Sequence, residues 1–405
     1  MEIDWGNLEA LPLSLIFNKL VERIDHIYFS LVCKNWYSMA KFNYQNRQIK
    51  NNVLPMLMIP TKSKHRTKRS LYGISSNKIY NFKLKVPYNK RFCGFSHGWL
   101  AKVEYFKGSK GTIITLMNPF KKLVYIPLPP IYMLDIVREK KNCECNVHKI
   151  TLSINPTTRP HDYYVAAIYS MKKCLAFLKA GQKLWTYIDI EDYCRFSDVI
   201  FYKGLVYAVG EWNDIVSFDL SNLMDGKVIP NVVSSKGDEY AQRAYIVKSL
   251  EGDLWIIRRF IDFPDDFDED DDDDDDDGYD SNGDRRSGTR RFEVYKLELD
   301  LQTGKLIQML KLDSLGDNVL FLGDNDSISM SASYFSNYLQ KDSIYYTDDY
   351  FESISIPYPN GPFDMGIYNV KDGSFSKHCS YQDWFTRMPP PLWVLPPFNG
   401  IDSIK

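Results

Sequence analysis

The chain has 405 residues, of which 44% are hydrophobic and 25% are charged, a composition typical of soluble globular proteins with two or more domains. No stretch approaches the roughly 18 consecutive apolar residues of a membrane-spanning helix. The opening residues, MEIDWGNLEA, lack the basic and apolar blocks of a signal peptide. The seven cysteines form no framework spacing, which fits a reducing compartment. We therefore expect a protein of the nucleus and/or cytoplasm without membrane contact.

A net charge of −2 conceals a strong asymmetry along the chain. Residues 1–150 carry 25 Lys and Arg against 9 Asp and Glu, so the remainder carries −18. Much of this negative charge lies in DDFDEDDDDDDDD, residues 265–277, where 12 of 13 positions are acidic. Mutual repulsion and the lack of apolar surface predict a disordered, solvated insertion at about 264–290.

Residues 5–41 have the pattern of three short helices. Pro12 is well placed in the first turn of a helix ending near Val21. A second helix is expected from Asp25 to Phe29, and a third over SLVCKNWYSMAK, residues 30–41. In the third, Val32, Cys33 and Trp36 would share one face. We place this helical unit at residues 1–45, and it is too small to bury much apolar surface alone.

A basic stretch, TKSKHRTKRS at residues 61–70, follows the helical unit. We interpret residues 46–69 as a basic linker. The alternatives are a nuclear import signal, a nucleic-acid patch, docking of an acidic partner, or a patch screened by the Asp run. Nucleic acid is the less favoured partner, because no RNA-binding fold accompanies the stretch.

Beyond about residue 50 the sequence becomes a series of short aromatic and β-branched segments separated by turn residues. Such segments without intervening helical periodicity predict an antiparallel sandwich, barrel or propeller. About 350 residues exceed what one sandwich or small barrel holds. A loose repeat also recurs, as in GLVYAV followed by IVSFDL, GDLWIIRRF followed by FEVYKLELDLQTGKL, and DSIYYTDD followed by DMGIYNVKDGSF. The fold class expected is therefore mainly β, with a degenerate β-propeller of five to seven blades over residues 70–398.

Prolines surround the last apolar segment, PPPLWVLPPF at residues 389–398. Because proline cannot donate a ladder hydrogen bond, these prolines rule out a central strand there.

The helical unit resembles the F-box in its Leu-Pro opening and its Val-Cys-Lys-x-Trp segment. This resemblance implies docking onto a Skp-type adaptor and, through it, a cullin–RING ubiquitin ligase. The residues that the resemblance assigns to this contact, some of which would instead hold the helices together, are Leu11, Pro12, Leu15, Ile16, Leu20, Val32, Cys33 and Trp36. Tyr28 and Tyr37 depart from the family, in which many members carry Arg. The alternative is a helical cap that serves only the propeller.

The β-region resembles the plant-specific KIB-type, kelch-like propeller domain. The resemblance rests on SHGWL (96–100) with LMNPFKKLVYIPLPP (116–130), and on DMGIYNVKDGSF (364–375) with PPPLWVLP (389–396). Lys121 and Lys122 replace the usual turn residues of that family. We interpret these motifs as architecture, with turns at Gly98 and Asn118-Pro119 and large apolar fillers at Trp99 and Trp393.

The other groups of acidic, cysteine and histidine residues do not predict a metal or catalytic site. Asp273, Asp275, Asp277, Gly278 and Asp284 match calcium-loop positions, but the match lacks the final Glu and flanking helices. Cys143, Cys145 and His148 have no second pair for zinc. His97 belongs to the SHGWL turn, and there is no nucleophile elbow. We expect no catalytic residues, no metal and no cofactor.

The sequence therefore favours a non-catalytic substrate-recognition subunit of a Skp–cullin–F-box ubiquitin ligase, in which the propeller binds an unknown target protein. One alternative is a propeller interaction protein that does not engage a ligase. The other is a propeller enzyme with histidines and carboxylates converging on the central channel, and with perturbed pKa values there.

Overall fold

A computed structural model describes residues 4–46, 53–60, 69–84, 86–87, 92–105, 111–121, 124–132, 147–188, 195–219, 231–234, 239–262, 288–300, 303–349, 364–378 and 391–396. Residues 264–287 of the predicted acidic insertion, the calcium-loop match, Cys143 and Cys145 lie outside these ranges, whereas residues 288–290, which the prediction included in the insertion, begin a strand. The described parts form a helical unit and a ring of β-sheets.

The helical unit has a short 3-10 turn, Trp5–Asn7, and three helices, α1 (Ala10–Asn18), α2 (Arg23–Leu31) and α3 (Lys34–Asn46). Pro12 lies in the first turn of α1, as predicted. The predicted single helix over residues 30–41 is wrong, because α2 ends at Leu31 and α3 begins at Lys34. No Gly or Pro marks this break in the sequence.

Twenty-six strands follow in chain order among the residues that the structure describes. The first thirteen are β1 (Met56–Pro60), β2 (Arg69–Gly73), β3 (Lys78–Leu84), β4 (Phe92–Ser96), β5 (Trp99–Tyr105), β6 (Gly111–Met117), β7 (Tyr125–Pro127), β8 (Ile131–Tyr132), β9 (Val147–Leu152), β10 (Tyr164–Tyr169), β11 (Cys174–Lys179), β12 (Thr186–Ile188) and β13 (Phe196–Tyr202). The remainder are β14 (Leu205–Gly210), β15 (Asp214–Asp219), β16 (Asn231–Ser234), β17 (Arg243–Lys248), β18 (Leu254–Asp262), β19 (Gly288–Leu299), β20 (Leu306–Leu312), β21 (Asn318–Leu322), β22 (Ile328–Ser331), β23 (Ser343–Tyr346), β24 (Gly366–Asn369), β25 (Phe375–Ser376) and β26 (Leu392–Val394).

These strands form six sheets, the blades of a propeller. From the axis outward they are β26-β1-β2-β3, β4-β5-β6-β7 with β8 beside β6, β9-β10-β11-β12, β13-β14-β15-β16, β17-β18-β19-β20, and β22-β21-β23-β24-β25, called blades 1 to 6. Successive inner strands contact one another around the axis. The described pairings are antiparallel except β21 with β23, which is parallel. The predicted propeller is confirmed, and each predicted repeat pair occupies neighbouring strands of one blade.

Between each two adjacent blades lies one apolar core, and six such cores close the ring. The strand β10 shows why its sequence is almost continuously apolar. Its Val165 and Ala167 belong to the core shared with blade 2, while Ala166 and Ile168 belong to the core shared with blade 4. A strand buried on both faces needs apolar residues at every position.

Blade 1 is completed by chain segments from the two ends of the described propeller. Leu392–Val394 pairs with Met56–Met58 as the inner edge strand, and the prolines flank this strand rather than interrupt it. Trp393 is buried and its ring packs against Phe321 of blade 6. The segment therefore forms a strand with one neighbour, which agrees with the expectation that it is not a central strand.

The predicted linker at 46–69 is corrected by the structure. Met56–Pro60 is the second strand of blade 1, and Val53 and Leu54 are fully buried. The Leu54 amide donates to the carbonyl of Val21, at 2.9 Å. The basic residues between this strand and its antiparallel neighbour β2 are typical of a linker, and its other neighbour, β26, lies at the far end of the sequence.

The helical unit is joined to the ring through α2. Ile24 and Ile27 belong to the core between blades 1 and 2. The carboxylate of Glu22 accepts hydrogen bonds from the Ser75 hydroxyl and from the Ser76 amide, at 2.5 and 3.1 Å. The two parts thus share a continuous interior rather than a flexible connection.

Candidate adaptor-binding surface

The first helix divides its apolar residues between two faces. Leu13 and Phe17 are buried in the core of the helical unit. Leu11 and Leu15, one turn apart, face solvent with 71% and 57% of their surface exposed. Because i and i+4 residues share a helix face, these two predicted contact residues form one apolar stripe available to a partner.

A second exposed group lies at the end of α2. Val32, a predicted contact residue, directly follows α2 and is 55% exposed. Tyr28 and Leu31 are exposed beside it, at helical spacing. Leu31 was missed by the sequence reasoning, although its place next to Val32 was a usable signal, and Tyr28 was noted only as a departure from the family.

Three predicted contact residues face inward instead. Ile16, Leu20 and Trp36 pack, partly buried, against the core of the helical unit. The Trp36 ring lies 4.5 Å from the ring of Phe29, and its indole N–H donates to the carbonyl of Trp5 at 2.8 Å. Trp36 therefore holds the helices together and fixes the segment that precedes α1.

The last two predicted contact residues, Pro12 and Cys33, are half-buried. The Cys33 sulfur lies 3.8 Å from the Gly6 carbonyl oxygen, so Cys33 packs against the 3-10 turn that precedes α1. Both side chains keep some exposed surface beside the exposed residues Leu11 and Val32.

Exposed apolar side chains are concentrated on the helical unit. Among the described residues, eight of the nineteen large hydrophobic side chains with high exposure lie between residues 5 and 42. They are Trp5, Leu11, Leu15, Tyr28, Leu31, Val32, Tyr37 and Phe42. An apolar concentration of this kind in so short a segment is typical of a surface that a partner covers.

The side of the unit that meets the ring also carries buried and half-buried acidic groups, beside the apolar contacts of Ile24 and Ile27. Burial, and after it the nearby Glu22 carboxylate, raises the pKa of Asp25. Glu22 itself is 1% exposed. A Cβ on Gly73 of β2 would collide with its carboxylate, so a larger residue there would force the buried Glu22 side chain to move.

Charged residues also meet near the propeller axis. The Lys149 ammonium lies 3.1 Å from an Asp198 oxygen and donates to the Asn325 carbonyl at 2.7 Å. The amide of Asp326 donates to the carbonyl of Phe95, and burial raises the pKa of the Asp326 carboxyl. These contacts hold the 324–327 segment against the inner strands of blades 2, 3 and 4.

The family motifs have the architectural roles expected of them. His97 and Gly98 form the two-residue turn between β4 and β5, with φ of 51° and 88°, as a type I′ hairpin requires. Trp99 is buried, and its indole N–H donates to the Asn155 side chain at 3.1 Å. His148 is buried against the Ser170 carbonyl.

No group of three or more His, Cys, Asp or Glu side chains within the described part of the chain is arranged to hold a metal ion. None of the helices in the described ranges is long and apolar enough to cross a membrane.

The fold defines the class of protein as a six-blade β-propeller with a small N-terminal helical unit. The sequence model of the KIB1-4 beta-propeller family matches residues 71–369. The chain therefore belongs to the KIB1-4 β-propeller family, and the resemblance of the β-region to KIB-type propellers is confirmed.

Curated relatives from Arabidopsis thaliana match almost the whole chain. The protein At5g55150 is 22% identical over 97% of both chains. F-box protein SKIP23 is 21% identical over 99% of this chain and 98% of its own. F-box protein At4g35733 is 22% identical over 96% of this chain and 98% of its own. These matches confirm the resemblance to plant F-box proteins that carry a propeller domain.

Solved structures are more distant. TolB from Acinetobacter baumannii matches 87% of this chain and 70% of its own, with 11% identity and a TM-score of 0.39.

Proposed function

We propose that this protein is a substrate-recognition subunit of a Skp–cullin–F-box ubiquitin ligase. The observation that carries the proposal is the exposed apolar surface of Leu11, Leu15, Leu31 and Val32 on a helical unit of F-box pattern. The relatives named F-box proteins, aligned over nearly their full length, support the same assignment.

In this proposal the helical unit binds a Skp-type adaptor and the propeller binds a target protein. The chain makes and breaks no covalent bond. It raises the local concentration of target lysines near a ubiquitin-charged enzyme, which is catalysis by proximity. The shared interior between α2 and blade 1 suits this role, because it holds the bound target at a fixed distance from the adaptor. We place this activity in the nucleus and/or the cytoplasm.

The proposal is tested by co-purification with a Skp-type adaptor and a cullin. A Leu11→Asp and Leu15→Asp double variant should lose the adaptor, because two charges would be buried in an apolar contact. Both residues face solvent, so the melting temperature should not change. Trp36→Ala is unsuited to this test, since it removes a packing residue of the helical unit.

Leu184→Asp is the matched control, since Leu184 is 75% exposed on the propeller. Adaptor binding should be the same as in the unaltered chain. Retention of adaptor and cullin by the double variant would overturn the proposal.

A further inference from the structure

Blade 6 reaches the helical unit through the segment that connects β22 to β23. The chain turns through residues 332–339, where the amides of Phe335 and Leu339 each donate to the carbonyl four residues earlier, at 3.3 and 2.9 Å. The hydroxyl of Tyr334 donates to the carbonyl of Asn18, the last residue of α1, at 3.2 Å. This segment therefore lies against the C-terminal end of α1.

The segment has a buried face and an exposed aromatic face. Phe335 and Leu339 belong to the core between blades 6 and 1. Tyr334 and Tyr338 are 45% and 40% exposed. Because residues four apart in a helical turn lie on the same side, the two tyrosine rings are neighbours on the outer face. Tyrosine is among the residues most enriched at the energetic centres of protein interfaces.

An aspartate of blade 6 holds the start of this segment in place. The Asp317 carboxylate accepts from the Ser331 hydroxyl at 2.6 Å and from the Ser333 amide at 2.7 Å. The Tyr334 ring packs at 4.7 Å against the ring of the buried Phe335. Tyr334 is thus held at both its backbone and its ring, so little conformational entropy is lost when a partner covers it.

The exposed stripe of α1 ends where Tyr334 begins. Leu11, Leu15 and Asn18 are at positions i, i+4 and i+7, which lie on one face of a helix. Leu15 precedes Asn18 by about 4.5 Å along the helix axis, and the Asn18 carbonyl holds the Tyr334 hydroxyl. The exposed surface of the helical unit therefore continues from α1 onto blade 6.

The size of a protein interface favours the adaptor as the molecule that covers this face. A stable interface covers about 800 Å² on each partner, a patch about 30 Å across. Leu11 and Leu15 span only about 6 Å of α1, so a partner that binds them also covers their surroundings. Tyr334 lies within about one helical turn of Leu15 and falls inside such a patch.

We infer that Tyr334 and Tyr338 extend the adaptor-binding surface from the helical unit onto the propeller. The adaptor packs on Leu11 and Leu15 of α1 and on the two tyrosine rings of blade 6. Contact with two parts of the molecule fixes the rotation of the propeller relative to the adaptor, which contact with one helix does not. The identity of the partner as a Skp-type adaptor rests on the proposed function.

The first test measures affinity by biolayer interferometry, with the purified full-length chain and a Skp-type adaptor from Arabidopsis thaliana. Tyr334→Ala should weaken binding at least about ten-fold, and Tyr338→Ala should weaken it several-fold. Tyr334→Phe keeps the ring and removes only the hydroxyl, so it should bind within about three-fold of the unaltered chain.

Trp212→Ala is the matched control, because Trp212 is 46% exposed, close to the value for Tyr334. It lies on the β14–β15 turn of blade 4, three blades from blade 1. Its adaptor binding should stay within about two-fold of the unaltered chain. Unchanged melting temperatures of the variants would exclude unfolding as the cause of any loss.

The second test detects the contact itself. The photo-reactive residue p-benzoylphenylalanine replaces Tyr338 in one sample and Trp212 in another, and each is irradiated with the adaptor bound. A covalent crosslink to the adaptor should form from position 338 and not from position 212. A purely structural role of the segment would not produce this crosslink.

The outcomes separate this inference from the proposed function. If the adaptor binds the unaltered chain but not the Leu11→Asp and Leu15→Asp variant, the proposed function holds. Equal binding by Tyr334→Ala, or no crosslink from position 338, then overturns the inference alone. A loss in Tyr334→Phe as large as in Tyr334→Ala would also overturn it, because the hydroxyl would then only position α1.

Two further outcomes would also contradict the inference. A crosslink from position 338 to a second copy of the chain, in place of the adaptor, would assign this face to self-association. Failure of the unaltered chain to bind the adaptor would overturn both the proposed function and the inference.

Discussion

The carboxylate of Glu22 lies 2.9 Å from the hydroxyl of Tyr80, and this contact joins the helical unit to blade 1. The same carboxylate accepts from Ser75 and Ser76. Burial is the largest cause that raises the pKa of Tyr80, to about 12, so this hydroxyl remains a donor at neutral pH. A buried acid surrounded by hydroxyl and amide donors fixes the orientation of α2 on the ring.

Removal of this acid should destabilise the whole protein. In Glu22→Ala, the donors of Ser75, Ser76 and Tyr80 lose their buried acceptor, at a cost of about 2 to 3 kcal/mol. Urea unfolding monitored by circular dichroism measures this cost. Glu9→Ala is the control, because Glu9 is exposed and makes no capping hydrogen bond. Equal midpoints for the two variants would contradict the role assigned to Glu22.

The helical unit should not fold by itself. Ile24 and Ile27 are buried in the core between blades 1 and 2, and Val53, which lies outside residues 1–45, is part of the core of the helical unit. A peptide of residues 1–45 lacks both contributions. We expect a peptide of residues 1–45 to show weak helical circular dichroism and no cooperative thermal transition. The intact chain is the reference, and a cooperative transition in the peptide would show that the unit is autonomous.

An ionic network between blades 5 and 6 should be essential for stability. Asp349, fully buried, lies 3.0 Å from a nitrogen of Arg243 and 2.9 Å from a nitrogen of Arg259. Asp349→Asn removes the carboxylate that Arg243 pairs with and leaves Arg259 with Asp364 alone, at 2.8 Å, which should cost about 3 to 5 kcal/mol. Urea unfolding at pH 7 measures the loss.

Asp262→Asn provides the comparison, since Asp262 is exposed and its ion pair with Arg290 spans 3.5 Å. Its effect should be below about 1 kcal/mol. Burial acts to raise the pKa of Asp349, but Arg243 and Arg259 lower it below 3.8 overall. The contribution of Asp349 is therefore present above pH 3.8 and is lost as the pH falls through the lowered pKa. A loss in Asp349→Asn no larger than in Asp262→Asn would refute this role.

His378 should make the protein sensitive to mild acid. Burial lowers the pKa of His378 from 6.5 to about 4, and its Nε2 lies 3.1 Å from the Tyr346 carbonyl. Between these two pH values the unfolded chain binds the proton and the folded chain does not. Stability should therefore fall by about 3 kcal/mol as the pH drops from 6.5 to 4.

His378→Gln should reduce that pH-dependent loss, because glutamine does not titrate. His161→Gln is the control, since His161 is exposed. Melting temperatures at pH 6.8 and 4.5 provide the measurement. Parallel pH profiles for the His378→Gln variant and the unaltered chain would exclude His378 as the cause.

The propeller could be predicted from the sequence because its signal is local. Pairs such as GLVYAV and IVSFDL are neighbouring strands, β14 and β15, joined by a short turn. The strand at Met56–Pro60 has one neighbour nearby in sequence, Arg69–Gly73, but the basic residues between them are typical of a linker. Its other neighbour, Leu392–Val394, lies at the far end of the sequence, and that pairing depends on closure of the ring, which no local pattern reports.

The candidate adaptor-binding surface was only partly predictable for a different reason. Leu11 and Trp36 are both apolar and both match the F-box pattern, yet Leu11 faces solvent and Trp36 packs inside. The hydrophobicity of a residue does not show whether its side chain is buried within its own chain or exposed on the surface. Only the position of α3 relative to Phe29 and Trp5 makes the distinction.

The pairing of β26 with β1 has a consequence for synthesis of the protein. The helical unit and β1 leave the ribosome early, whereas Leu392–Val394 is among the last of the described strands to be translated. Until then, blade 1 lacks its inner strand, and the core beneath Ile24 and Ile27 lacks Leu392 and Val394. A message truncated before codon 392 would therefore yield an open ring whose unpaired strand edge and exposed core invite chaperone binding and degradation.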